Sequence, residues 1–148
     1  MDREALKNVK NIHFVGIGGS GMCPLAEILL SKGYHITGSD CNDSDILNRK
    51  KSYGITVHMG HKPENIEGAE LVVYTAAVKQ DNPELVAARE KGIKTVERSE
   101  MLGFVSDHYK ESIAISGTHG KTTTTAMLTQ VLMGCKMDPS AIIGGKLP

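Results

Sequence analysis

A chain of 148 residues can build one domain with a full core, or one domain plus part of another. Its 17 basic and 17 acidic residues cancel, leaving no basic excess to hold a nucleic-acid backbone and no acidic tail. No apolar run approaches the roughly 20 residues that span a bilayer, and the charged start, Met1 to Lys7, does not read as a signal peptide. Cys23, Cys41 and Cys135 are odd in number and scattered, against both a disulfide framework and a zinc site, so the expectation is a soluble protein of a reducing compartment, the cytoplasm.

After a polar lead-in, Ile12-His13-Phe14-Val15 reads as a buried strand. It runs into Gly16-Ile17-Gly18-Gly19-Ser20-Gly21-Met22, where Gly16, Gly18 and Gly21 fit G-x-G-x-x-G between a strand and a helix. The sharp turn falls on Gly16, a Cβ at Gly18 would obstruct a pyrophosphate, and Gly21 is expected to let the helix approach the strand. The helix, with Met22, Leu25, Ala26, Leu29 and Leu30 on one face and Pro24 in its first turn, ends at Gly33 and points its N–H groups at an anion.

His35 to Asp40 reads as strand two and finishes on an acid 19 residues past Gly21, where such folds place the carboxylate that meets a ribose. Asp43 or Ser44 caps a predicted helix through Ile46, Leu47, Lys50 and Tyr53, stopped by Gly54. Ile55 to His58 is strand three, Gly60 to Asn65 a polar loop, and Leu71 to Tyr74 strand four, with Thr75, Ala76 and Ala77 at its carboxyl end. Asn82-Pro83-Glu84 starts a helix to Lys91 that Gly92 ends, because it combines a cap, a proline at the first position and an acid on the dipole. Lys94 to Val96 is strand five, Ser99 caps a helix over Glu100 to Val105, and Ser106 to Glu111 is a linker. Strands alternating with helices at this spacing predict an α/β, Rossmann-like parallel sheet flanked by helices.

A sixth strand, Ser112 to Ser116, leads into Gly117-Thr118-His119-Gly120-Lys121-Thr122-Thr123-Thr124-Thr125, followed by a helix through Ala126, Met127, Leu128, Val131 and Leu132. Gly120-Lys121-Thr122 matches the end of the phosphate-loop signature, although Ile115 occupies the position of its first glycine and Gly117 makes a shorter loop. Backbone N–H groups there can wrap phosphate, Lys121 can reach the β/γ oxygens, and the Thr122 hydroxyl can ligate Mg²⁺. The division expected is a nucleotide-binding domain over 1–106, a linker over 107–111, and over 112–148 the strand, P-loop and helix that begin a truncated ATPase domain. His58 and His61 lack a third ligand and read as solvated or substrate-facing. Asp40, Asp43 and Asp45 lack the glycine and distal glutamate of a calcium loop. Met22, Met127 and Met133 are expected to fill the core.

Two phosphate-handling loops in one short chain narrow the field. Ile12 to Met22, Gly38-Ser39-Asp40, His61-Lys62-Pro63-Glu64-Asn65, Asp81-Asn82-Pro83-Glu84, Glu100-Met101-Leu102 and Gly117 to Thr125 together resemble, in order, the landmarks of the Mur ligases of bacterial cell-wall synthesis. The resemblance covers essentially the whole chain, explains the displaced glycine, and favours the branch that adds L-alanine over the sister that ligates a recycled tripeptide. It implies three domains in the parent enzyme, of which the chain up to Pro148 holds the first and the start of the second. It also implies the chemistry: ATP phosphorylates the carboxylate of UDP-N-acetylmuramate, and the L-alanine amine attacks the acyl phosphate.

The roles that the resemblance implies are as follows. N–H groups of Gly18, Gly19, Ser20, Gly21 and Met22 hold the UDP pyrophosphate, with Asp40 and His61 near the uridine and Thr75, Ala76 and Ala77 at the ligand edge. Gly117, Thr118, His119, Gly120, Lys121, Thr122 and Thr123 bind ATP, with Lys121 catalytic and Thr122 on Mg²⁺. A piece of this size is expected to bind the UDP-sugar without ligating. A rival reading, an NAD-dependent dehydrogenase fragment, accounts for Gly16 to Gly21 and Asp40 but leaves Gly117 to Thr125 unexplained. A non-catalytic UDP-sugar module is a third.

Overall fold

The computed structural model describes residues 8–42 and 54–144. Five strands form one all-parallel sheet: β1 (Asn11–Val15), β2 (His35–Asp40), β3 (Thr56–Met59), β4 (Leu71–Tyr74) and β5 (Lys94–Glu97), in the order β3-β2-β1-β4-β5. Sequence order reverses direction between β1 and β4. In an open α/β sheet that is where a crevice opens beyond the carboxyl ends of the strands.

Helices α1 (Met22–Ser31), α2 (Pro83–Glu90) and α3 (Arg98–Ser106) cover the sheet, and α4 (Lys121–Gly134) follows. One core layer packs Phe14, Ile17, Met22, Leu25, Leu29, Leu71, Met101 and Phe104; a second, on the opposite face, joins Val15, Ile66, Val72, Leu85 and Ala88. Strands buried on both faces are the mark of a parallel sheet between helices, and β4 (burial of Leu71, Val72 and Val73 alike) is one.

The caps follow the sequence with one exception. Asn82 Oδ1 accepts the Glu84 N–H at 2.9 Å, with Pro83 at the first helical position. Gly33, Gly54 and Gly92 have φ of +89°, +82° and +67° and turn the chain after a helix or before a strand. Ser99, expected as a cap, instead lies inside the first turn of α3. The helix begins two residues earlier than expected, at Arg98 with Glu97 as its cap, and the Ser99 hydroxyl donates to Glu97 Oε1. The predicted helix over Asp43 to Tyr53 lies outside the described residues.

Two expectations for the C-terminal part are corrected. Ser112 to Ser116 forms no strand, and Ile113 is 68% exposed. The run is apolar enough for a strand but has no partner ladder beside it among the described residues, and a strand exists only by pairing. Met22 is core, whereas Met127 and Met133 are exposed, because no layer packs over them among the described residues. What ties this region back is the stretch after α4: Ile142 leans on the first core layer, as does Tyr109 ahead of the helix, and the Tyr109 hydroxyl donates to Ser140 Oγ at 3.0 Å. No helix among the described residues is long and apolar enough to cross a membrane.

Candidate functional site

The glycine loop is shaped by the end of β2. The N–H groups of Gly16 and Ile17 both donate to the Ser39 carbonyl, at 2.8 and 3.0 Å, and Gly16 turns the chain at φ +79°. The Asp40 carboxylate, nearly buried, then holds the loop from beside it: Oδ2 accepts the Gly18 N–H and Oδ1 the Asn42 N–H, each at 2.9 Å. Asp40, read from the sequence as a ribose contact, is therefore first a clamp on the glycine loop.

Of the five N–H groups assigned to a pyrophosphate, three have internal acceptors. Gly18 donates to Asp40, Gly19 to the Gly16 carbonyl at 3.1 Å, and Met22 to the Gly19 carbonyl at 2.9 Å. The N–H groups of Ser20 and Gly21 have no acceptor among the described residues. Gly21 also differs from its expected role. A Cβ there would come within 2.8 Å of Arg98 Nη1, so the third glycine makes room for an arginine side chain rather than for the strand. Arg98 opens α3 and has no acidic partner among the described residues. Its sequence signal was weak, a lone arginine after a short strand. Gly38 entered the sequence reading only as part of a landmark, without a packing role: its Cβ would meet Ile17 Cδ1 at 2.6 Å, so β2 carries a glycine to let the loop's buried isoleucine in.

These groups open on a cleft of about 610 Å³ that brings the two loops together. Gly19, Ser20, Gly21 and Met22 line one side with Thr75 and Arg98, and Lys121, Thr122 and Thr125 line the other, with Ile115 and Ile142 adding apolar wall. Gly117, Thr118, His119, Gly120 and Thr123 are exposed beside it, as are Ala76 and Ala77 after Thr75, without lining it. Gly120 is the left-handed cap of α4 (φ +80°). Lys121 Nζ donates to the Gly117 carbonyl at 2.6 Å, folded over its own loop. The hydroxyls of Thr125 and Thr129 donate to carbonyls one turn back, whereas Thr122 has no such bond and keeps its oxygen for the cleft. Cation-binding clusters of three or more His, Cys, Asp or Glu are absent among the described residues.

Beside the glycine loop lies a polar cluster around Glu84, whose side chain is fully buried. Oε1 accepts from Asn65 Nδ2 at 2.6 Å and Oε2 from Ser39 Oγ at 2.6 Å, with His61 Nδ1 2.9 Å away. Buried His13 presents Nε2 at 3.6 Å from Oε1, just beyond hydrogen-bond length, and its Nδ1 lies 2.8 Å from Thr37 Oγ1. Burial pushes the Glu84 pKa up, but His13, then Ser39 and Asn65, more than offset this and hold it at about 2. His61 was named in the sequence as a candidate; Glu84 was read as a helix-start acid and His13 as part of a strand, both within family landmarks but neither with a site role.

Comparison with known proteins matches the geometry. The sequence model of the Mur ligase family, catalytic domain, matches residues 11–110, and the chain belongs to this family. It is 48% identical over 147 residues to the UDP-N-acetylmuramate–L-alanine ligase of Clostridium tetani, covering 99% of this chain and 32% of that protein. The crystal structure of a Thermotoga maritima UDP-N-acetylmuramate–alanine ligase superposes with TM-score 0.86 at 37% identity, over 91% of this chain and 32% of that one. A UDP-N-acetylmuramate:L-alanyl-γ-D-glutamyl-meso-diaminopimelate ligase from Neisseria meningitides superposes at 0.85 with 30% identity, over 93% and 44%. The chain spans about a third of the length of the curated relatives it matches.

Proposed function

We propose that these residues form the UDP-sugar-binding domain (1–106), linker (107–111) and first part of the ATP-binding domain (112–148) of a cytoplasmic UDP-N-acetylmuramate–L-alanine ligase. The observation that carries this reading is the single cleft shared by the glycine loop, Arg98 and the Lys121–Thr122 loop. An acyl-phosphate ligase needs its acid substrate and its nucleotide to meet at one place. Among the superposed structures the identity is higher to the L-alanine enzyme, 37% against 30%, which supports L-alanine as the acceptor.

On this reading the Ser20 and Gly21 N–H groups and the Arg98 guanidinium take the UDP diphosphate, combining backbone donors, the start of α1 and one fixed cation. Lys121 Nζ leaves the Gly117 carbonyl for the ATP phosphates, exchanging a neutral acceptor for a charged one. Thr122 offers one hard oxygen of the kind Mg²⁺ takes alongside phosphate. The ion would supply charge neutralisation at the transferred phosphoryl group. The muramate carboxylate attacks the γ-phosphorus and ADP leaves; the L-alanine amine then attacks the acyl carbon and inorganic phosphate departs.

The 148 residues alone bind UDP-N-acetylmuramate and do not ligate. Supporting this, Ser112 to Ser116 has no sheet partner and α4 exposes Met127, Val131 and Met133, so the ATP loop lacks the packed layer that holds such a loop in line with its acceptor. Calorimetric titration of the chain with UDP-N-acetylmuramate, NADH and ATP–Mg²⁺ is the test. Heat from the UDP-sugar with none from NADH is the expected result. Binding of NADH alone would overturn the assignment, and ADP release with L-alanine that Lys121→Ala abolishes would overturn the inactivity.

A further inference from the structure

We infer that Glu84 is a positioning residue that locks His61 in the Nδ1–H tautomer, so that His61 Nε2 meets the nucleotide as a hydrogen-bond acceptor. This rests on the UDP-sugar reading above and concerns how the same site reads its ligand.

The argument begins with donors and acceptors. Ser39 Oγ donates its one proton to Glu84 Oε2 at 2.6 Å. An ionised carboxylate has no proton to give. His61 Nδ1 lies 2.9 Å from that same Oε2 and 3.0 Å from Ser39 Oγ, so neither neighbour can donate to it. Nδ1 must therefore carry the hydrogen, shared between two acceptors. In a neutral imidazole the lone pair is then on Nε2.

That nitrogen is presented outward. Nε2 of His61 has no hydrogen-bond partner among the described residues, yet it is not among the fully enclosed unpaired atoms, of which His13 Nε2 is the one found there. The His61 side chain keeps 20% of its surface exposed. It stands just past the carboxyl end of β3, after Gly60, whose N–H donates to the Asp40 carbonyl at 2.8 Å and whose φ of +78° turns the chain. It therefore sits beside the end of β2 that clamps the glycine loop, at the ligand edge of the sheet. Donor groups on the nucleotide, a ribose hydroxyl or the uracil N3–H, suit an acceptor there.

Glu84 is held by every element packed around it. Asn65 Nδ2 donates to Oε1 and also to the Gly60 carbonyl, tying the carboxylate to the turn that carries His61. His13 on β1 faces Oε1, and His58 on β3 has its ring 6.4 Å from that of His13. The titratable groups in the cluster are thus Glu84, His13, His58 and His61, with Asp40 occupied at the loop.

Two measurements on the intact chain test this. Long-range ¹H–¹⁵N correlation spectra, with His61 assigned by His61→Ala, should show the Nδ1–H pattern without ligand and lose it in Glu84→Gln. The second is a double-mutant cycle read by titration with UDP-N-acetylmuramate. Glu84→Gln should weaken binding about tenfold in the native background, the loss of one good hydrogen bond, and add nothing in the His61→Ala background. A residue that only held the fold would weaken both backgrounds equally. An Nε2–H pattern in the native chain overturns the proposal even if Glu84→Gln fails to fold, and so does an additive cycle. Failure of the native chain to bind UDP-N-acetylmuramate sinks the functional reading and the ligand half of this proposal with it.

Discussion

Replacing Gly38 with alanine tests how the sheet shapes the glycine loop. Gly38 lies on β2 between Phe14 of β1 and Val57 of β3, and its added Cβ would sit 2.6 Å from Ile17 Cδ1, 2.8 Å from Cβ and 3.0 Å from Cγ2. A rotamer change can withdraw Cδ1 or Cγ2, but Cβ moves only with the backbone, and it must retreat by roughly 0.7 Å to reach ordinary carbon–carbon contact. The Ile17 N–H is bonded to the Ser39 carbonyl at 3.0 Å, so the retreat pulls on the turn that presents Ser20 and Gly21. Overpacking of this kind costs about 1–3 kcal/mol, of which the lower backbone entropy of alanine returns about 0.5–1. A net loss of about 1–2 kcal/mol lowers the Tm of a domain this size by roughly 5–15 °C. Thermal melts should show that loss, and titration with UDP-N-acetylmuramate should show weakened binding. Ile17→Ala removes two of the three clashing atoms, so the double variant should be less destabilised than the sum of the singles. A Gly38→Ala protein that melts and binds like the native chain would refute the close approach.

Arg98→Ala should lower affinity for UDP-N-acetylmuramate about ten- to a hundredfold, the range of a charge-assisted hydrogen bond, and leave uridine binding and Tm almost unchanged; equal losses for uridine would remove Arg98 from the phosphate site. Glu84 has a folded pKa of about 2 against an ordinary 4.5, so it contributes stability above about pH 4.5 that is lost as pH falls toward 2. Urea midpoints of the native chain should therefore fall across that window more steeply than those of Glu84→Gln, by on the order of 3 kcal/mol at most, and parallel curves would contradict the ionised carboxylate. A chain ended after Glu111 should still melt cooperatively, at a somewhat lower Tm because Ile142 and the Tyr109–Ser140 bond are gone; a molten product would contradict the domain boundary.

The sheet was legible because its signals are local. β1 and β4 are short apolar runs, α2 is bracketed by the Asn82 cap and Gly92, and β2 and β4 fall at their expected residues. The missed strand at Ser112 to Ser116 carries the same local signal as the others. What it lacks is non-local, a neighbour to pair with, and no feature of the five residues records that. The same holds for Met127 and Met133, whose place on a helix does not say whether anything covers them.

The site divides along the same line. Gly16 and Gly120 were readable because backbone turns have fixed spacings along the chain, and the same spacing set Lys121 at the start of α4, where it lines the cleft. Asp40 was found by its distance from Gly21, yet the distance could not tell a ribose contact from a clamp, since the Gly18 N–H reaches the same carboxylate from across the loop. Arg98, Gly38 and Glu84 were hidden for one shared reason: each acts on a residue far away in sequence, Arg98 over Gly21, Gly38 under Ile17, and Glu84 on His61. Glu84 shows why the local reading was incomplete rather than mistaken. It does lie in the first turn of α2, where the dipole favours an acid, and its N–H is capped by Asn82. A dipole contact alone would leave the carboxylate in water, where it is worth about 0.3–1 kcal/mol. Here the strand order carries β1 and β2 past the start of α2, so the acid is buried among Ser39, Asn65 and two histidines. The helix-start signature placed the residue, and the β3-β2-β1-β4-β5 topology turned it into the anchor of a site.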